Sequence, residues 1–146
     1  MASAKNFFND EEKEAIVAAI RKVEIHTSGE IRVHVDDRCD KDAFDRAVNV
    51  FQFLKMDKTP FRNGVLIYIA VKDRKFAVLG DEAIYKKVDN DFWSSIAQKL
   101  HNDFVEQQYA VGVINAIETV GKALIKYFPD VDELERNELP DDISFE

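Results

Sequence analysis

The strongest constraint on the fold is an unbroken apolar run at residues 65–71, VLIYIAV. Its seven residues match the usual length of a strand, and no charged side chain is present to face water on either side. Such a run is typical of a central strand that is covered on both faces. Asn63 and Gly64 stand just before it and predict a turn that opens the strand. We therefore expect a sheet enclosed between layers of helix.

The segment before this run alternates between polar and apolar residues. The apolar positions are Ile31, Val33 and Val35, and the polar positions are Glu30, Arg32 and His34. A period of two predicts a strand with one face that is wet or that meets something polar. A helix capped by Asp40 is predicted to follow and to end before Thr59. A helix between two strands predicts a parallel, right-handed crossover.

The remaining elements complete the fold class. A polar turn at 72–75 leads to a short strand at 76–79, which predicts an antiparallel hairpin. Helices are predicted from 9 to 25, where Asn9 and Glu12 form a capping box, from 89 and over 113–128, with a short helical link at 83–88. We predict an α/β fold: a three-layer α/β/α sandwich with a small mixed β-sheet, a parallel βαβ crossover plus an antiparallel hairpin, flanked by helices.

Negative charge is concentrated at one end of the chain. The 146 residues suit a single domain, predicted at 1–129, and the formal net charge is -8. Residues 130–146 hold eight acids against one base, Arg136, so this predicted acidic tail carries most of the charge. Four apolar tail residues leave open whether it docks on the domain: Leu134, Leu139, Ile143 and Phe145. No basic stripe is present, which argues against nucleic-acid binding.

Two further features limit the class of protein. Cys39 is the single cysteine, so an internal disulfide is excluded and a buried core position is predicted. No apolar stretch approaches the ~20 residues of a membrane span, and no signal-like stretch precedes the first helix. We therefore expect a cytoplasmic protein without membrane insertion.

The predicted topology gathers polar residues at two edges of the sheet. At the first edge lie oxygen ligands suited to Ca²⁺ or Mg²⁺, namely Glu30, Asn63, Asp81, Glu82 and Asp89. The alternative is structural: Asp89 would cap a helix, Glu82 would be solvated, and Asn63 with Gly64 would supply a turn with positive φ. The spacing alone leaves both interpretations open.

The second edge lies at the carboxyl ends of the parallel strands, where open α/β sheets usually bind ligands. Asp36, Asp37 and Asp73 form a second-choice cation cluster there. Surface ion pairs with Arg38 and Arg74 are the alternative.

Nucleophilic catalysis has weaker support in the sequence. Thr27 and Ser28 follow His26, but adjacent residues rarely present a hydroxyl and its base to each other. His34 and His101 are isolated, and we expect surface or half-buried positions for both. No GxGxxG, Walker, CxxC or HExxH motif occurs.

Several strings in the chain resemble the TPM-domain family. They are TSGEIRVHV at 27–35, RNGVLIYIA at 62–70, DRKFAVLGD at 73–81, FW at 92–93 and YFP at 127–129. The segment NELPDDI at 137–143 is similar to the ending of short, free-standing bacterial members. Together these strings cover nearly the whole chain in the family's order.

The resemblance implies a mixed sheet between helices, a divalent-cation site and an acid-phosphatase activity attributed to plant thylakoid-lumen members involved in photosystem repair. Other relatives are tethered to membranes. This sequence shows no export signal, membrane anchor or Gly-rich tail, and GDEAI at 80–84 replaces the family's GYGLE string. Asp89 still falls where those relatives place an Asp.

Two functions of different classes follow. The first is a divalent-metal-binding domain with acid-phosphatase-like hydrolysis of phosphate monoesters, in which Arg62 orients the phosphate of a small molecule. The second is a non-catalytic interaction or accessory module, whose bound cation stiffens loops and whose tail or wet strand face meets a partner protein. Clustered carboxylates near Arg62 favour the enzyme, and the lack of a convincing nucleophile favours the module.

Overall fold

The structure is a computed structural model that describes residues 3–130. The predicted acidic tail, and the question of its docking, lie outside these residues except for Asp130. No helix among the described residues is long and apolar enough to cross a membrane.

A three-stranded sheet forms the centre of the fold. Its strands are β1 (Glu30–Asp36), β2 (Gly64–Ala70) and β3 (Lys75–Gly80), in the order β1-β2-β3. β1 runs parallel to β2, with Glu30 opposite Gly64 and Asp36 opposite Ala70, whereas β3 is antiparallel to β2. Every residue of β2 is buried. The predicted central strand, crossover and hairpin are therefore confirmed.

Five α-helices surround the sheet. They are α1 (Asp10–Glu24), α2 (Ala43–Phe53), α3 (Glu82–Lys87), α4 (Asn90–Val105) and α5 (Tyr109–Tyr127), with a short 3-10 turn at Met56–Lys58. Asn9 and Glu12 form the predicted capping box of α1. The cap predicted for α2 was wrong: Asp42, not Asp40, accepts the N–H groups of Phe44 and Asp45. An N-cap side chain reaches only N–H groups that lie within about three residues after it, and Asp40 is too far from those of Phe44 and Asp45.

Helices cover both faces of the sheet. On one face α2 packs against alternate β2 residues, with Ala47 and Val50 contacting the cluster that contains Leu66 and Tyr68. On the other face the core joins α1, α4 and α5 to the intervening β2 residues Val65, Ile67 and Ile69. This arrangement confirms the α/β/α layers. Because β2 carries apolar side chains on both faces, it is the strand that both helical layers bury.

Two local features complete the packing of the core, and the second is the buried position predicted for Cys39. A Cβ at Gly121 would overlap the side chain of Val23, so glycine is what lets α5 approach α1. Cys39 is 4% exposed and belongs to the core beneath α2. Its thiol lies 3.1 Å from the carbonyl oxygen of Lys41 in the same β1–α2 connection.

Candidate functional site

At the first edge of the sheet, Arg62 and Asp81 form a two-point ion pair. Nε of Arg62 lies 2.8 Å from one carboxylate oxygen of Asp81, and Nη2 lies 3.0 Å from the other. Asp81 also caps α3, accepting the N–H of Glu82 over 2.7 Å, and is only 8% exposed. Both oxygens of this buried carboxylate therefore already have protein donors, and the contact with Asp81 raises the pKa of Arg62.

In the turn before β2, Arg62 is the residue with a strained backbone conformation. Its φ is 51°, in the left-handed region, whereas no glycine among the described residues has a positive φ. The alternative that assigned this conformation to Asn63 and Gly64 was therefore wrong. The Arg62 carbonyl accepts the N–H of Ala83, and the Gly64 carbonyl accepts the N–H of Asp81, so two hydrogen bonds between the segments keep the turn against the start of α3.

Asn63 is the most unusual residue at this edge. It is fully buried, and its Nδ2 donates to Oγ of Ser28 over 3.1 Å. Its Oδ1 has no hydrogen-bond partner among the described residues. Exchanging the amide oxygen and nitrogen would give Oδ1 the serine contact but leave Nδ2 without one. A buried amide atom without a partner is destabilising, which is what a site made for a ligand would show.

The other predicted ligands of this edge each have contacts of their own. Glu30 lies opposite Gly64 in the sheet and pairs with Arg32 at 3.5 Å. Glu82 is largely exposed, 3.6 Å from Nη1 of Arg62. Asp89 accepts the N–H of Phe92 over 2.9 Å and caps α4, which is the structural alternative predicted for it. Within residues 3–130, no three His, Cys, Asp or Glu side chains are grouped as metal ligands.

At the second edge, Asp36 is the centre of a hydrogen-bond network. Its carboxylate accepts from Nε of Arg46 at 2.9 Å and from the hydroxyl of Tyr68 at 2.6 Å, and Nε2 of His34 lies 2.9 Å away. Burial pushes the pKa of Asp36 upward, but these three donors outweigh it and lower the pKa to about 2. Since an ionised carboxylate only accepts, Nε2 of His34 carries the proton.

Tyr68 was missed as a polar residue because it lies inside the apolar run of β2. Its ring is fully buried beneath α2, and burial together with the hydrogen bond to Asp36 raises its pKa. A signal was available in the register of the parallel strands, because His34 and Tyr68 are opposite residues and their rings stack. The polar face of β1 therefore contacts the phenol of Tyr68. It also contacts the side chain of Arg46, which extends from α2.

The other two carboxylates of the second cluster have separate partners. Asp37 accepts the N–H of Ala4 over 2.5 Å. Asp73 accepts the N–H of Cys39 over 2.7 Å and lies 3.6 Å from Nη1 of Arg38, the ion pair that the alternative predicted. Beside them a cleft of about 340 Å³ is lined by residues 36–41 and Arg46.

The hydroxyls near His26 have structural partners. Oγ1 of Thr27 lies 3.1 Å from the carbonyl oxygen of Leu124 and accepts the N–H of Gly29 over 3.0 Å. Thr27 therefore ties the start of β1 to the end of α5, and Ser28 accepts from Asn63. Both hydroxyls are thus engaged in contacts that hold the fold together, which is not the arrangement of an activated nucleophile.

The family model of the TPM domain matches residues 2–123 of this chain. This chain belongs to the TPM-domain family. Among curated proteins, none matches it.

Solved structures agree with this TPM domain in fold. The NMR structure of the BA42 protein from the psychrophilic bacterium Bizionia argentinensis is 45% identical, covers 90% of this chain and 92% of BA42, and has a TM-score of 0.82. N-terminal domains of the cg2496 protein from Corynebacterium glutamicum and of a protein from P. gingivalis are 14% and 16% identical, with TM-scores of 0.63 and 0.68. The first covers 80% of this chain and 74% of its own, and the second 81% and 76%. The latter two show similarity of fold alone.

Proposed function

We propose that this TPM domain is a binding module for a divalent cation, Ca²⁺ or Mg²⁺, at the start of β2. The observation that carries the proposal is the buried Oδ1 of Asn63, which lacks a hydrogen-bond partner among the described residues. An amide oxygen is a suitable ligand for either ion, and the carboxylate of Asp81 follows β3 at the same edge. Glu30 and Glu82 supply further carboxylates from the strand and helix that begin there.

A cation at this position has to compete with the ion pair already present. Both oxygens of Asp81 accept from Arg62, so binding through Asp81 requires at least one of these contacts to open. The Arg62 side chain is 42% exposed and has solvent into which it can move. The loop before β2 and the start of α3 would then be held by the ion instead of by the guanidinium.

Acid-phosphatase-like hydrolysis is the second candidate, and the position of Arg62 favours it. A guanidinium released from Asp81 next to a bound cation would offer two donors to a phosphate monoester. The nearby hydroxyls of Thr27 and Ser28 already have structural partners, so a water molecule would have to be the nucleophile. This chemistry predicts slow turnover, which makes the binding module the leading function.

A gain-of-binding variant gives the sharpest test of the cation site. Asn63→Asp places a carboxylate in a buried position without a partner, so the variant should melt below wild type in chelator. Millimolar Ca²⁺ or Mg²⁺ should raise its melting temperature more than that of wild type, because the added charge strengthens binding to the folded state. Amide NMR shifts in the titration should be concentrated at 28–30, 62–64 and 80–83.

Two further variants locate the ion. Asp81→Ala should lose most of the gain in melting temperature, whereas Asp73→Asn, at the other edge, should keep it. A gain lost in Asp73→Asn but kept in Asp81→Ala would move the site to the second edge. If neither wild type nor Asn63→Asp responds to either ion, the cation proposal is wrong.

Turnover separates the two candidates. Hydrolysis of a generic phosphate monoester is compared between wild type and Asp81→Ala after identical purification, with and without the ion that binds. A rate that needs the ion and falls in the variant supports the phosphatase. Equal rates mean that a contaminant is responsible for the hydrolysis. The binding module then remains as the only one of the two candidate functions.

A further inference from the structure

The geometry points to a second ligand site, separate from the cation site: we propose that the cleft at the carboxyl ends of β1 and β2 binds a phosphate group, as the free anion or on a small molecule. The cleft lies between the connection that leaves β1 and the first half of α2. Open α/β sheets commonly place ligands at this position, and a volume of about 340 Å³ admits a small ligand.

Most of the acids around the cleft already accept hydrogen bonds within the protein, whereas Asp40 lines the cleft as an exposed carboxylate. Asp36 has three donors, Asp37 accepts from the backbone of Ala4, and Asp73 accepts from the backbone of Cys39. Asp42 is occupied as the cap of α2. The hydrogen-bonded carboxylates hold the β1–α2 connection in place, so a cation that bound to them would have to displace donors that already fix the walls of the cleft.

The basic side chains, in contrast, keep donors for a ligand. Arg46 binds Asp36 through Nε, which occupies one of the five N–H donors of the guanidinium, and its side chain is 38% exposed. Arg38 is 70% exposed, and its distance of 3.6 Å from Asp73 is too long for a hydrogen bond. Lys41 is also exposed. The guanidinium groups of Arg46 and Arg38 and the ammonium group of Lys41 therefore lie around one cleft.

Lys75 adds a further positive charge next to the cleft. Its Nζ donates to the carbonyl oxygens of Cys39 and Lys41, each over 3.0 Å. These contacts bring a positive charge to the connection and use two carbonyl oxygens that would otherwise repel an anion. Phosphate matches this arrangement because its several oxygens accept from more than one guanidinium at once.

Arg46→Lys and Arg38→Gln test the site. Arg46→Lys keeps a positive partner for Asp36 but removes the fork, and Arg38→Gln removes a charge that makes no hydrogen bond to Asp73. Wild type is titrated in chelator with inorganic phosphate and, separately, with phenyl phosphate, and amide shifts are followed by NMR. We expect saturable shifts at 37–46 and an affinity at least tenfold weaker in each variant. Unfolding midpoints show that both variants are folded.

Arg32→Gln is the matched control, since Arg32 is an exposed arginine on β1 at 3.5 Å from Glu30 and lies outside the cleft. Its affinity should equal that of wild type. Tighter binding of phenyl phosphate than of phosphate identifies a small phosphorylated molecule as the ligand, and equal binding identifies the free ion. The proposal is overturned if no saturable shifts occur at 37–46, or if Arg32→Gln weakens binding as much as Arg38→Gln. Because chelator is present, this result is independent of the cation site.

Discussion

The guanidinium of Arg62 donates to both carboxylate oxygens of Asp81, over 2.8 and 3.0 Å. Arg62 lies in the turn just before β2, and Asp81 follows the last residue of β3. The pair therefore links the turn before β2 to the end of β3. Asp81 has a second task as the cap of α3. One carboxylate therefore connects a strained turn, a strand end and a helix start.

Asp81→Ala should destabilise the protein by more than the loss of a helix cap alone. Loss of an Asx cap costs about 1 kcal/mol, and removal of the carboxylate also leaves Arg62 without its principal partner. Urea unfolding at neutral pH measures the change in unfolding free energy. Asp89→Ala, which removes the cap of α4 but no arginine contact, is the matched control and should be less destabilising. Equal losses in the two variants would mean that the arginine contact contributes nothing.

Acidification should remove the contribution of Asp36 to stability. Its pKa is about 2 in the folded protein against an ordinary value of 3.8 for aspartate, so the unfolded chain takes up the proton first as the pH falls. The contribution, on the order of 2 kcal/mol, is complete above about pH 5 and disappears as the pH approaches 2. Urea unfolding across this range should show the unfolding free energies of wild type and Asp36→Asn converging at low pH. A constant gap would contradict the low pKa.

Tyr68→Phe should isolate the buried donor of the Asp36 network. The change keeps the ring in the core beneath α2 but removes a hydrogen bond of 2.6 Å to a charged acceptor, which is worth about 1.5–3 kcal/mol. The pKa of Asp36, followed by carboxyl NMR, should rise toward its ordinary value. A loss of stability without a rise in this pKa would indicate a packing effect of the hydroxyl instead.

Gly80→Ala should disturb the packing of Trp93. A Cβ at position 80 would lie 2.5 and 2.7 Å from two atoms of the indole ring, so the ring has to move, at a cost of about 1–3 kcal/mol. Trp93 is the only tryptophan, and its fluorescence reports the change directly. Gly64→Ala is the control, because its Cβ would come no closer than 3.4 Å to the side chain of Met56. An unchanged emission spectrum in Gly80→Ala would show that the ring does not need this space.

Amide hydrogen exchange should be slowest in β2. This strand is paired on both sides and buried throughout, whereas β1 is paired along one side only. Exchange that requires global opening is confined to such elements. Faster exchange at 65–70 than at 31–35, measured by NMR in deuterated water, would contradict the stability order that this sheet implies.

Local patterns predicted most of the fold because they act over short distances. The apolar run at 65–71 specified the central strand, and the capping box of Asn9 and Glu12 placed the start of α1. The cap of α2 was misplaced by two residues because both Asp40 and Asp42 stand near the helix start. Competition between such neighbours depends on backbone geometry, which spacing does not reveal.

The sites depend on contacts between distant parts of the chain and were less predictable. The candidate residues at the first edge were named, but the pairing of Arg62 with Asp81 was not, because both residues had been assigned to a ligand. Asp36 was named as an acid of a cation cluster, whereas two of its three donors come from α2 and from β2, 10 and 32 residues away. Only the register of β1 against β2 brings Tyr68 to it.

The central position of β2 has a consequence for how the two proposed sites relate. Its seven residues separate them by about 20 Å, at a rise of roughly 3.3 Å per residue. A rigid strand transmits little change of shape, so occupancy at one end should leave the dissociation constant at the other end unaltered. Both ligands would nevertheless oppose the same unfolding event, so their stabilising free energies should add. Each ligand alone should therefore lengthen the lifetime of the domain against a protease that cleaves the unfolded chain, and the two together should lengthen it by the product of the separate factors.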